Sequence, residues 1–125
     1  MSNAMTRRKQ WLELESAFRL TEFVKREFGL TPGEAHAELC GDDLKVHLTR
    51  ALTPIGLIIS QDAQGAEALR CVYSVLYKAN RSAMESIVGR IAGAPARCRQ
   101  MDIDLESANV TLCFQVDAVS SVHRE

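Results

Sequence analysis

The stretch "AEALRCVYSVLYKANRSAMESIVGRIA", residues 66–92, decides the architecture. Leu69, Val72, Leu76, Ala79, Ala83, Ile87 and Ile91 return at steps of three and four, the spacing of one helix face. Tyr73, Tyr77, Met84 and Val88 make a second apolar stripe beside the first. The spacing predicts one long helix with an apolar face wider than a single sheet has to cover. "AGAP", residues 92–95, stops it with Gly and Pro in the order expected at a helix end.

Upstream lies "LTPIGLIIS", residues 52–60. Thr53 suits the N-cap and Pro54 then falls at the first helical position, where its missing N–H costs nothing. Ile55, Ile58 and Ile59 share one face of the turn that follows, and Gly56 weakens it slightly. The polar "SQDAQG", residues 60–65, interrupts the pattern and predicts a bend between a short helix and the long one.

Two stretches alternate with a period of two. In the first, Ala35, Ala37 and Leu39 alternate with His36, Glu38 and Cys40. After Gly41-Asp42-Asp43, Leu44, Val46 and Leu48 alternate with Lys45, His47 and Thr49. In the second, Met101 and Ile103 alternate with Gln100 and Asp102. "DLESAN" turns the chain, and Val110, Leu112, Phe114 and Val116 follow on one face. Each reads as an antiparallel hairpin with one apolar and one polar face. At the N-terminal side, Trp11, Leu14, Phe18, Val24 and Phe28, with Ala17 and Leu20 beside them, step as a helix that Gly29 ends. The expected order is α-β-β-α-β-β. The expected fold is an α+β two-layer sandwich: a four-stranded antiparallel sheet with the long helix and the N-terminal helix on one face.

The 125 residues, 46% hydrophobic and 25% charged, suit one globular domain placed at 11–117. "SNA" before Met5 reads as a cloning remnant. Residues 1–10 are therefore expected to be that remnant and a frayed, disordered N-terminus, and 118–125 a tail with little signal. A net charge of -1 gives no global pull toward nucleic acid or anionic lipid. No apolar run approaches the roughly 20 residues of a membrane span, and the N-terminus lacks a signal-peptide core. A cytoplasmic protein without direct membrane insertion is expected. Cys40, Cys71, Cys98 and Cys113 have no zinc or CxxC spacing and read as reduced thiols.

Candidate sites are few. His36 and His47 fall on the polar face of the first hairpin. With Asp42-Asp43 at the turn, Glu38 would lie opposite His47. These three, with Cys40, are the candidates for a metal such as zinc, weighed against a simple Glu–His cross-strand pair. Asp102 and Asp104, with Glu106 nearby, share a strand face, but no pKa-shifting partner is evident for acid–base work. "GLTPGE", residues 29–34, lacks the Lys-Ser/Thr of a phosphate loop. Arg70, Lys78, Arg81, Arg90, Arg97 and Arg99 are interrupted by Glu67 and Glu85, so they read as a solvated face more than a nucleic-acid surface. The second stripe of the long helix, Tyr73, Tyr77, Met84 and Val88, is expected to need cover, by the first helix or by a second copy in a homodimer.

The order of landmarks resembles a known family. A helix precedes Gly29-Leu30-Thr31-Pro32; a hairpin runs into Leu52-Thr53-Pro54; a long helix with Arg81 ends at Gly93; a last hairpin carries Asp102-Ile103 and "VTLCFQVD". Over residues 11–117 this resembles the MpsC-like family, named after a component of a sodium-translocating, membrane-potential-generating system. The family turn resembles Gly-Arg-Gly-Pro, where this chain has Leu30 and Thr31, and an acidic residue commonly stands where this chain has Gly56. The resemblance implies a cytosolic accessory role beside a membrane ion-translocating complex. It implies no catalytic residue and no cofactor. The reading is thus a non-enzymatic regulatory domain acting through protein contacts. The alternative is a small-molecule- or metal-binding module with a pocket between sheet and long helix.

Overall fold

The structure, a computed structural model, describes residues 2–117. The expected C-terminal tail lies outside the described residues. Helix α1 (Ser2–Glu27) leads into the hairpin β1 (Glu34–Cys40) and β2 (Asp43–Thr49). The short α2 (Pro54–Ile59) and the long α3 (Ala63–Ala92) follow, then the hairpin β3 (Ala96–Asp104) and β4 (Asn109–Val116). The four strands form one antiparallel sheet in the order β1-β2-β4-β3. Helix α1 packs over β1 and β2, and α3 over β3 and β4. This is the two-layer α+β sandwich that the periodicity predicts.

The strand alternation is followed closely. Leu44, Val46, Leu48, Val110, Leu112, Phe114 and Val116 all turn inward and are buried. Cys98 is also buried, three residues before the inward-facing Met101. Strict alternation would put these two on opposite faces. A bulge between Cys98 and Gln100 adds one residue and restores the phase.

The first hairpin turns one residue earlier than expected. Gly41 and Asp42 form the turn, and Gly41 takes φ 62°, the positive value that two-residue hairpins matching strand twist demand. Glu38 therefore pairs with Lys45, and His36 with His47, correcting the register that set Glu38 opposite His47.

The N-terminus also differs. Residues 5–10 are helical rather than frayed, because α1 begins at Ser2. Arg8 Nη2 donates to the carbonyl of Ala92 (3.0 Å), satisfying one of the orphan carbonyls at the end of α3 and neutralising its negative pole. This bond sets the start of α1 beside the end of α3, so the two helices run antiparallel.

Candidate functional site

Three connecting segments meet at the end of the sheet where β2 leaves for α2. Thr31 N donates to Ala51 O (2.7 Å), Ala51 N to Ala108 O (2.7 Å), and Gly33 N to Thr49 O (2.8 Å). Arg50 N donates to the side-chain oxygen of Asn109 (3.1 Å). Arg50 (φ 48°) and Ala108 (φ 61°) occupy the left-handed region although neither is glycine. Such backbone strain persists where neighbours over-determine it, as these bonds do. Leu30, Ala51, Leu52, Leu105 and Ala108 are buried beneath the junction.

Helix α2 starts from this anchored base. Thr53 Oγ1 accepts from Gly56 N (3.1 Å) and Pro54 stands in the first turn, so Leu52-Thr53-Pro54 acts as a helix start, as read from the sequence. Gly56 is the buried residue of α2 and lies against Leu52 and Thr53. The helix thus turns its smallest residue inward. Ile55, Leu57, Ile58 and Ile59 are all exposed. Asp62 caps α3 by accepting from Gly65 N (2.7 Å), and Gly65 lies directly against the carbonyl of Ile59. A side chain at Gly65 would strike that backbone oxygen, so the bend from α2 into α3 depends on this glycine.

The stripe assigned to a partner surface faces inward instead. Tyr73, Met84 and Val88 are buried and Tyr77 is partly buried in the chain's own core. The reason is the position of the β3 edge. Tyr77 Oη lies 3.5 Å from Cys98 O and 3.6 Å from Cys98 Sγ, Arg81 Nε donates to Cys98 O (3.0 Å), and Glu85 Oε2 accepts from Cys98 N (2.8 Å). These contacts fix the rotation of α3. Burial, then the bond to Cys98, pushes the Tyr77 hydroxyl up to about 12. Burial also pushes the thiols of Cys98 and Cys113 and the hydroxyl of Tyr73 upward. Tyr73, Met84 and Val88 belong to the core cluster, with Tyr77 packed against it. Two grooves among the described residues share Pro95 and Ala96, one continuing to Arg97 and Asp117 and the other, more open, to Ser82 and Arg90 of α3.

The rotation has a counterpart on α1. Leu12, Ser16, Ala17, Leu20, Phe23 and Val24 are buried, as is Phe28 just beyond the helix, whereas Trp11, Leu14 and Phe18, read as part of the same apolar helical pattern, are exposed. On α3, Val72 and Val75 are exposed as well. Sequence reasoning missed these positions because aromatic and branched residues are the strongest core signal available without coordinates.

One residue on each outer strand of the sheet is bonded to a helix side chain. At the β1 edge, Glu13 Oε2 of α1 accepts from Leu39 N (2.7 Å), while Glu85 and Arg81 hold Cys98 at the β3 edge. Such contacts occupy the groups through which another strand would add.

The polar candidates remain dispersed. His36 and His47 stack at 6.2 Å between ring centroids, Glu38 Oε1 lies 3.7 Å from His47 Nε2, and His47 Nδ1 lies 3.4 Å from Thr111 Oγ1. Cys40 pairs with Asp43 across the hairpin. Among the described residues no three His, Cys, Asp or Glu side chains gather into a set that could hold a metal ion. Asp102 accepts from Gln100 Nε2 (2.6 Å), and Asp104 accepts from the amides of Glu106 and Ser107, which makes it a turn former. Arg81 is committed to Cys98 and Glu85, and Arg70 to Glu67 (3.8 Å), which breaks up the basic stripe.

A protein-family model described as "Na+-translocating membrane potential-generating system (MpsC)" matches residues 8–118. The chain belongs to the MpsC family. No curated protein and no solved structure matches it. The match takes in every strand, α2, α3 and most of α1, so the segments of the junction all belong to the MpsC domain. Among the described residues no helix is long and apolar enough to cross a membrane.

Proposed function

We propose that this MpsC family member is a non-enzymatic accessory component of a sodium-translocating system, acting from the cytosolic side through protein contacts and working as a homodimer. The observation that carries the reading is α2. A six-residue helix, PIGLII, buries its glycine and holds Ile55, Leu57, Ile58 and Ile59 in solvent on a base tied by backbone bonds. Apolar surface presented on a rigid base loses little entropy when a partner covers it, which is the economy of a preorganised binding surface. The family description, a sodium-translocating, membrane-potential-generating system, supports a membrane protein of such a system as the partner.

The test is capture of membrane proteins from detergent-solubilised membranes of the native host. The wild-type chain is expected to retain a component of a cation-translocating complex, and Ile55→Asp/Ile58→Glu to lose it while keeping the wild-type circular dichroism. Equal capture by the double variant would remove α2 from the contact.

A further inference from the structure

We infer that the outer face of the α1–α3 layer is a self-association surface, occupied by the same face of a second copy. The inference rests on the homodimer part of the functional reading, and it replaces Tyr73 and Tyr77 as the contact.

Helical phase defines the face. Trp11 is nine residues from Leu20, and Val75 is nine residues from Met84. Nine residues make about two and a half turns. Each of these exposed side chains therefore points directly away from one that is fully buried against the sheet. Leu14 and Phe18 accompany Trp11 on α1, and Val72 accompanies Val75 on α3. The exposed Ala79 and Ala83 continue the α3 face along the stretch between Val75 and the end held by Arg8.

The area is close to what a stable dimer needs. Trp11, Leu14, Phe18, Val72 and Val75 are 51%, 73%, 64%, 52% and 67% exposed. At about 100 Å² for an aliphatic side chain and about 200 Å² for an aromatic one, they present on the order of 400 Å² of apolar surface. A standard interface buries about 800 Å² per partner, a little over half of it apolar, or about 450 Å². The face carries nearly that share before Ala79 and Ala83 are added. A net charge of -1 leaves little repulsion between copies. Glu13 at Leu39 and Arg81 and Glu85 at Cys98 each engage one residue of an edge strand, which disfavours strand addition there, whereas the outer helix face carries no such obstacle. An isologous pairing across a two-fold axis gives a four-layer dimer, with a sheet on each outer side and four helices between.

Static light scattering of the full chain over a concentration series tests this. The wild type is expected at twice the 13.9 kDa chain mass. Phe18→Glu and Val75→Glu are each expected to weaken the dimer by about 100-fold, since each buries an unpaired charge in an apolar contact. Both should keep the wild-type melting curve at monomeric concentrations, because neither side chain touches the core. Ile58→Glu, outside this face, should leave the mass unchanged. A wild type that stays monomeric at every concentration overturns the inference, and so does a dimer that survives both substitutions. A monomeric wild type that still captures the membrane component through α2 would sink the self-association surface and the homodimer part of the functional reading, and leave the α2 contact standing. A dimer that captures nothing would sink the functional reading alone.

Discussion

Glu85→Ala tests how the sheet edge and the rotation of α3 are held together. The Glu85 carboxylate accepts from Cys98 N at 2.8 Å and lies 3.4 Å from the Arg81 guanidinium, which itself donates to Cys98 O at 3.0 Å. Cys98 is fully buried, so its amide has no ready access to water once the carboxylate is gone. A hydrogen bond to a charged group contributes about 1.5–3 kcal/mol, and the orphaned donor carries its full desolvation cost. A loss of about 2–3 kcal/mol follows. With an unfolding entropy of about 2.1 cal/mol/K per residue, the 125-residue chain loses about 4 °C of Tm per kcal/mol, so a drop of about 10 °C is expected. Glu85→Gln keeps an acceptor in place and should cost less than half as much. Glu13→Ala removes the corresponding bond at the other edge, to Leu39 N. The two alanine losses should add within about 0.5 kcal/mol, since they lie on opposite edges with no shared partner. Thermal unfolding followed by circular dichroism reads the wild type, the three single variants and the double alanine variant. A Glu85→Ala melting point within about 1 °C of wild type would refute the reasoning, because a surface change of that size needs no lost bond.

Three further outcomes follow from named contacts. Gly65→Ala should lower stability by about 1–3 kcal/mol in denaturant titration, since the new methyl meets the Ile59 carbonyl and forces α2 away from α3. Met84→Ala should cost about 2–5 kcal/mol and Val72→Ala less than about 0.5, because the first side chain is fully buried and the second half exposed; equal costs would contradict the assigned rotation of α3. Tyr77, raised to about 12 from its ordinary value of 10.0, favours the neutral hydroxyl in the folded chain. Its contribution to stability is complete below pH 10 and is lost as pH rises from about 10 to 12, where the unfolded chain ionises first. Tyr77→Phe should show less of that alkaline loss in pH-dependent melting curves.

The parts of this fold that sequence exposes are those with a single physical solution. A strand of Leu44, Val46 and Leu48, alternating with Lys45 and His47, has one face that tolerates burial, and all three apolar residues are buried. A helix offers more than one. On α3 the stripe through Val72 and the stripe through Tyr73 lie about 100° apart and differ little in hydrophobicity, so periodicity finds the helix without fixing its rotation. That choice is made by long-range contacts that no local pattern encodes: Tyr77, Arg81 and Glu85 all reach one bulged residue, Cys98, on the neighbouring strand. Helix α1 follows the same logic. Its buried face includes Ser16 and Ala17, residues small enough for close packing, while Trp11 and Phe18 are turned outward. The buried Ser16 hydroxyl has no protein partner, a cost that a helix rotated to bury its aromatic side would avoid. The chain thus leaves its largest aromatic side chain, Trp11, half exposed on the side away from its own sheet, while a serine takes a core position. A fold optimised as an isolated monomer gains nothing from that arrangement. A fold whose helix layer is completed by a second helix layer does, because the burial missing from one chain is recovered between two. The same rotation takes Tyr73 and Tyr77 away from the outer face: they are used inside the chain, where Tyr77 reaches Cys98.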